Sequence, residues 1–555
     1  MSSFPLLTVT AALPAVGAVL TAALPAATTV RRRDLNKGIP LGLSLLTLAL
    51  SIVVAVRFKP GGARYQLTES HSWISNFGIG YTLGVDGIAV VLILLTTVLV
   101  PFVMLASWHD ADPVANDSGT FERSRRTQGF FALILAVEAM VVLSFEATDV
   151  FLFYVFFEAM LIPMYFLIGG FGDRTEGEDA RQRSYAAVKF LLYNLLGGLI
   201  MLAAVIGLYV ITARQGIGSD GHGTFDLTTI TQALASGRLH FSPVAENALF
   251  LGFMFAFAVK APLWPLHTWL PNAMGEATPG VAVLITAVVD KVGTYAMLRF
   301  CLELFPQASK TFAPTILVLS LIGIIYGALL AVGQKDIKRL IAFASISHFG
   351  FIIMGIFAMT TQSQAGATLY MVNHGVSTAL LLLVAGFLMS RRGSRLIGDY
   401  GGVQKVAPVL AGTFLVGGLA TLSLPGLAPF VSEFLVLVGT FTRYPVIGII
   451  ATIGIVLAAL YVLVLYQRTM TGPVKAAVAG MRDLRVRELV VAAPLIALLV
   501  VLGVYPKPIS DIINPAVRST LSDVGRTDPA PPHPVAANSA TSNAATTPAT
   551  NGGGQ

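Results

Sequence analysis

The chain has 555 residues, 55% hydrophobic and 12% charged, with a formal net charge of +7. Soluble domains carry roughly 25% charged residues, so a chain this apolar needs lipid as its solvent and must be mostly membrane helix. One cysteine, Cys301, excludes a disulfide framework, a zinc site or an iron–sulfur cluster built from this chain alone. No glycine-rich phosphate loop follows a strand-like run, which leaves flavin or nicotinamide binding without a motif. The basic residues lie in loops, where they set orientation and are no sign of a nucleic-acid partner.

Apolar runs follow one another at 4–28, 39–57, 86–107, 128–147, 149–171, 185–212, 246–269, 279–303, 314–333, 337–359, 366–390, 407–441, 445–467 and 487–505. They give an all-α polytopic membrane protein of about fourteen transmembrane helices. No basic residue precedes the first run and Arg31, Arg32 and Arg33 follow it, so it is expected as a retained span and not a cleaved signal peptide. Only Glu146, Ala147, Thr148 and Asp149 separate the fourth and fifth runs. Alternate loops carry Arg31–Arg33 and Lys37, then Arg123, Arg125 and Arg126, then Arg174, Arg181 and Arg183, and the same set continues with Lys335, Lys338, Arg339, Arg391, Arg392, Arg395, Lys405, Arg468, Lys475, Arg482, Arg485 and Arg487. The bias over the other loops is roughly three to one and makes this set cytoplasmic, with both termini outside. The Pro-, Ala-, Asn- and Thr-rich tail 527–555 cannot bury enough apolar surface to order and is expected to be disordered.

Two spans carry proline pairs, at Lys260-Ala261-Pro262-Leu263-Trp264-Pro265 and at Leu424-Pro425-Gly426-Leu427-Ala428-Pro429. Each pair removes backbone donors and clashes with preceding carbonyls, and such broken helices are tolerated at membrane depth only inside protein or beside a wet cavity. Breaks at matching places in two halves point to a transporter with inverted repeats. The expected division is three helices over 1–127, helices four to eight over 128–303, helices nine to thirteen over 314–470, and helix fourteen over 487–505. Each repeat has five spans, an odd number, so the two have opposite orientation.

Ionisable side chains inside a bilayer are expensive and usually work on ions or protons. Glu158 sits in a wholly apolar stretch, and Lys260 lies just before the first break, beside orphaned carbonyls. Burial disfavours the charge on each and pairing favours it, so a pair that forms and separates is a proton switch; a static ion pair that fixes helix packing is the other reading. Lys291 shares a helix face with Thr294 and Tyr295. Its neighbour Asp290 is either a local counter-charge or a partner of Thr286 or Thr294, and Arg299, two turns on, is expected to snorkel outward. His348 and His374 lie at similar depth on successive spans, where histidine can both give and accept a proton. Glu433 follows the second break, nearly where Lys260 stands relative to the first; it is read as a proton exit, with complementing the half-helix dipole as its other reading. Weaker candidates are Lys189, one turn from a charged loop; Glu138, a relay member or a subunit contact; and His267, with Trp269, for which an interfacial anchor is the plain alternative.

The segments Phe257-Ala-Val-Lys260-Ala-Pro-Leu-Trp-Pro-Leu-His267-Thr-Trp-Leu-Pro271-Asn-Ala-Met-Gly-Glu-Ala-Thr-Pro279 and Gln334-Lys-Asp-Ile-Lys-Arg-Leu-Ile-Ala-Phe-Ala-Ser-Ile-Ser-His348 resemble the antiporter-like subunits shared by complex I and the Mrp cation/proton antiporters. The likeness spans roughly residues 80–470. It implies fourteen core helices with two inverted five-helix bundles and a polar axis along the membrane. In that picture Glu158 and Lys260 form a switch, Lys291, His348 and His374 connect half-channels, and Glu433 leads outward. Subunits L and N and the Mrp relatives usually carry lysine where this chain has Glu433, which sets the chain on another complex I branch; Asp290 before the central lysine departs from the family pattern. The resemblance implies a non-redox, proton-translocating subunit of a type I NADH–quinone oxidoreductase in a bacterial inner membrane. Subunits L and N would be its neighbours. Other subunits would bind NADH and quinone and carry FMN and iron–sulfur clusters. A subunit of an Mrp-type cation/proton antiporter is the second function it implies, and a structural membrane subunit with inert ion pairs is a third reading.

Overall fold

The computed structural model describes residues 4–26, 29–112, 125–172, 180–218 and 221–530; Arg123, Arg174 and the tail from 531 onward lie outside the described residues. Thirteen helices among the described residues are long and apolar enough to cross a membrane, which bears out a mostly helical polytopic fold. The remaining expected span, at 407–441, is divided into Pro408–Thr421 and Ala428–Arg443.

Aspartates start several helices. Asp86 accepts from the Ala89 N–H at 2.9 Å, Asp149 from Leu152 at 2.8 Å and Asp336 from Arg339 at 3.1 Å. A carboxylate there takes up an orphan donor and complements the helix dipole; its loss costs about 1 kcal/mol. Asp149 also accepts from the Gly80 N–H at 3.1 Å, and the Thr148 N–H donates to the Thr82 carbonyl at 3.0 Å. These bonds brace the short turn between Arg126–Glu146 and Val150–Ala159. That last helix yields at Met160 to Leu161–Phe171, because Pro163 offers no N–H and crowds the carbonyl four residues back. The first proline pair stops Pro243–Lys260 at Lys260, and helix resumes at Leu270–Glu276.

The core lies along Pro279–Leu302, Ile337–Phe357 and Thr361–Arg392, each buried throughout its apolar window. These three helices carry Lys291, His348 and His374. The first is irregular: π-helical turns at Leu284–Val289 and Met297–Leu302 flank an α-helical Asp290–Ala296. In outer helices such as Val30–Arg57 and Val486–Val504 only 28% and 33% of the apolar window is buried, as in lipid-facing or partner-facing helices.

Several expectations are corrected. Helix begins at Val30, not 39, so Lys37 is not in a solvated loop; it is buried, with Nζ 2.5 Å from Asp112 Oδ1. Lys338 is likewise buried in the first turn of Ile337–Phe357 and donates to the Ala277 carbonyl at 3.0 Å. An antiparallel hairpin, Gln66–Ile74 with Ile79–Val85, fills the loop after the second span. An amphipathic helix, Lys507–Val524, follows the last span. Beyond it the Arg443 guanidinium donates to the Thr527 carbonyl at 2.6 Å, and Asp528 accepts from the Thr361 N–H at 2.7 Å.

Candidate functional site

The central helices bring four of the expected residues into one string. Lys291 Nζ lies 2.8 Å from His374 Nδ1 and 4.1 Å from the centre of the Phe349 ring. An ammonium only donates, so with Lys291 charged Nδ1 accepts, and Nε2 carries the ring hydrogen toward Thr378 Oγ1 at 3.2 Å. The His374 and His348 ring centres stand 5.3 Å apart. Beyond them His348 Nδ1 is 2.6 Å from the Tyr370 hydroxyl, which donates to Glu433 Oε2 at 3.1 Å. A hydroxyl that gives its hydrogen to a carboxylate must accept from the imidazole, so His348 Nδ1 carries the hydrogen. Its Nε2 is then free to accept from the Tyr461 hydroxyl at 3.3 Å. Ser423 Oγ also donates to Glu433 Oε2. Asn373 Nδ2 donates to the Ala428 carbonyl at 2.7 Å and to Ser432 Oγ at 3.2 Å, which pins the first turn of the half-helix that holds Glu433.

Lys260 and Glu158 are neighbours but form no ion pair. Lys260 Nζ donates to the Phe157 carbonyl at 2.7 Å and lies 3.7 Å from the centre of the Phe157 ring. The helix Val150–Ala159 ends there, and the lysine takes one of its orphaned carbonyls. Glu158 stays within electrostatic reach of Lys260, while its carboxylate lies against Gly198, where an added Cβ would collide with it. Asp290 is wholly buried and neither of its oxygens has a protein partner among the described residues. Thr286 and Thr294 do not bond it: their hydroxyls donate to the Ala282 carbonyl at 3.0 Å and the Lys291 carbonyl at 3.1 Å.

The weaker candidates are dispersed. Glu138 accepts from Ser44 Oγ at 3.3 Å, between its own helix and Val30–Arg57. Lys189 Nζ donates to Asn272 Oδ1 at 3.0 Å and lies between the Tyr185 and Tyr193 rings, 5.9 and 5.8 Å from their centres. His267 is buried, edge-on to the Tyr326 ring. Trp269 is buried too and donates from Nε1 to the Val259 carbonyl at 2.9 Å, so the anchoring reading fails for it: the turn after the break folds inward.

Arg299 does not snorkel. It is 1% exposed and bridges Asp86 and Glu303; Glu303 also pairs with Arg64, which binds Asp523 at 2.5 Å. Five side chains from distant segments thus close a charge cluster that ties the segment before the hairpin and the C-terminal helix to the core. Burial, with Glu303 nearby, pushes the Tyr65 hydroxyl beside this cluster up to about 12, which keeps it neutral. Among the described residues no group of three His, Cys, Asp or Glu side chains could hold a metal ion.

Sequence reasoning missed Tyr370, Tyr461 and Ser423 as links. Tyr370 stands one turn from His374, a visible signal, but its bond to Glu433 spans 63 positions of sequence.

The family described as NADH:quinone oxidoreductase/Mrp antiporter, TM, matches residues 147–459. The chain is similar to the NADH-quinone oxidoreductase subunit M of Mycobacterium tuberculosis, 58% identical over 97% of this chain and 98% of the relative. It is 36% identical to the subunit M of Rhodobacter capsulatus over 87% of this chain and 89% of that one. Among solved structures it is similar to a chain of respiratory complex I from Thermus thermophilus with bound NADH, with a TM-score of 0.80 and 29% identity over 94% of this chain and all of that one. A chain of the Mrp complex from a Dietzia species shares the fold, with a TM-score of 0.77 and 19% identity over 94% of this chain and 100% of that one.

Proposed function

The chain belongs to the NADH:quinone oxidoreductase/Mrp antiporter transmembrane family, and on that footing we propose that it is the M-type, proton-translocating membrane subunit of an NADH–quinone oxidoreductase. The observation that carries the mechanism is the buried string Lys291, His374, His348, Tyr370, Glu433. Every member can hold or pass a proton, and buried groups of this kind at membrane depth are retained for such work.

Glu158 and Lys260 act as the switch. Loss of a proton from Glu158 strengthens its pull on Lys260 and draws the ammonium away from the Phe157 carbonyl, arrival of a proton lets it return, and the altered field reaches Lys291. Lys291 then releases a proton to His374 Nδ1. Rotation of an imidazole ring, or one bridging water, carries the proton across the 5.3 Å gap between ring centres. From His348 Nδ1 it moves to the Tyr370 oxygen as Tyr370 gives its own hydrogen to Glu433, the outward-leading carboxylate. Lys189 and His267 support uptake on the cytoplasmic side, and Glu138 serves the contact with the N-terminal helices.

The segments 128–303 and 314–470 are the inverted repeats, and the membrane is the bacterial plasma membrane with both termini outside. Subunits L and N are the neighbours, and other subunits of the complex bind NADH and quinone and hold the FMN and iron–sulfur clusters. An Mrp-type antiporter subunit is the weaker reading, since it is favoured by likeness of fold at 19% identity while the curated relatives at 33–58% identity are oxidoreductase subunits.

The test is Lys260→Ala in the intact complex, with assembly quantified. The proposal expects an assembled complex whose NADH oxidation and proton pumping collapse together; both unchanged would overturn it.

A further inference from the structure

We propose that Asp290 is a relay carboxylate shared by Lys260 and Lys291, through which the charge of the first lysine reaches the second. This rests on the relay reading above and fills the stretch of it, from the switch to the central lysine, that neither a hydrogen bond nor a ring contact spans.

The helix bearing Asp290 meets the end of the Lys260 helix at backbone contact. A Cβ added at Gly293 would stand 2.9 Å from the Ala261 nitrogen and 3.1 Å from the Phe257 carbonyl oxygen. Gly293 and Asp290 are three residues apart and share a helix face, so Asp290 looks toward the turn where Lys260 sits. Lys291 is the next residue, and both ammonium groups lie within electrostatic reach of the carboxylate. Glu158 is within electrostatic reach of Lys260 as well, so Lys260 has two carboxylates in reach while its ammonium donates to the Phe157 carbonyl.

A purely structural aspartate would spend its oxygens on backbone or hydroxyl donors. Those of Asp290 have none among the described residues, and both nearby threonines point their hydroxyl hydrogens at carbonyls instead. An unpaired buried carboxylate is costly and is retained where a cation or a proton comes to it. The π-helical turns on both sides of Asp290–Ala296 agree, since such turns give up regular hydrogen bonding and concentrate at functional places.

The transfer balances as two proton steps. An N–H bond of Lys260 breaks and an O–H bond forms on Asp290, directly or across one water, which leaves both neutral. That O–H then breaks as an N–H forms on neutral Lys291, whose previous proton has left for His374 Nδ1. Asp290 ends as the carboxylate it began as, and one positive charge has moved from Lys260 to Lys291.

The experiment compares Asp290→Asn, Asp290→Glu and Lys260→Ala in the assembled complex by NADH-driven pumping, NADH oxidation and redox-induced infrared difference spectra. The expected result is that Asp290→Asn lowers pumping and coupled oxidation together at least fivefold, that Asp290→Glu recovers most of both, and that a carboxyl band shifts in the glutamate variant. Wild-type pumping in Asp290→Asn beside collapse in Lys260→Ala overturns the role of Asp290 and leaves the relay standing. Wild-type pumping in both variants sinks the relay, and this proposal with it. If Asp290→Asn fails to assemble, the glutamate variant still decides, because a carboxyl spectrum identical to wild type overturns the proposal.

Discussion

Tyr370→Phe removes one oxygen and keeps the ring. In the native chain that oxygen joins His348 Nδ1 at 2.6 Å to Glu433 Oε2 at 3.1 Å. With phenylalanine His348 loses its acceptor, and Glu433 keeps Ser423 as its side-chain donor. The ring retains its packing beside Phe351 and His374, at 6.5 and 6.3 Å between centres, so the helix pair should hold. A hydrogen bond to a charged group contributes about 1.5–3 kcal/mol. At about 1.4 kcal/mol per factor of ten, passage from His348 to Glu433 should slow roughly 10–100-fold. The assay is NADH-driven proton uptake by inverted membrane vesicles, with NADH oxidation and assembled complex measured on the same preparation. Pumping and coupled oxidation should fall together by about a factor of ten or more at wild-type assembly. Wild-type rates at wild-type assembly would refute the reasoning, since the proton would then be passing without the hydroxyl.

Gly198→Ala places a methyl group against the Glu158 carboxylate; the overpacking costs about 1–3 kcal/mol and should depress pumping by moving the switch residue. Gly170→Ala, which meets nothing within 4 Å, is the matched control, and equal pumping in the two variants would contradict the packing account. Arg299→Ala leaves the buried Asp86 without its ion-pair partner and the buried Glu303 with Arg64 alone as its cation. Removing one partner of a buried charge group costs about 3–5 kcal/mol, so the variant should accumulate poorly and lose activity at lower temperature, read by native gel and thermal inactivation. Normal abundance and stability would show that the cluster is dispensable.

The fold was largely legible because membrane helices announce themselves by length and hydropathy, and the prolines at 262, 265, 425 and 429 announce the breaks. The hairpin was less so: Gln66–Ile74 is a polar strand exposed for most of its length, without the apolar alternation that marks a half-buried strand. The helix Lys507–Val524 is amphipathic and too polar to read as a span. Of the site, the charged residues stood out because lipid makes each expensive. Their partners did not. A buried tyrosine such as Tyr370 or Tyr461 looks like any core aromatic until the groups it joins are brought together from distant helices. Arg299 misled for a related reason: near a helix end an arginine is expected to reach outward, and only the fold brings Asp86 and Glu303 to it. Lys37 was read as a loop charge because the helix start was placed where apolar residues begin, whereas the helix begins in polar sequence at Val30; Lys338 stood at the edge of an expected span that starts at 337 as the helix does, and only the fold brings the Ala277 carbonyl to it.

The central claim is that protons pass through the buried string that begins at Lys291, and the most direct test is Lys291→Met, which keeps an unbranched side chain one heavy atom shorter and removes its charge and its hydrogen bond to His374. The measurement is the number of protons pumped per NADH oxidised, together with the rate, in vesicles with quantified complex. The account predicts an assembled complex whose pumping and coupled NADH oxidation are both severely reduced. Undiminished pumping, at the wild-type ratio and rate, would contradict it.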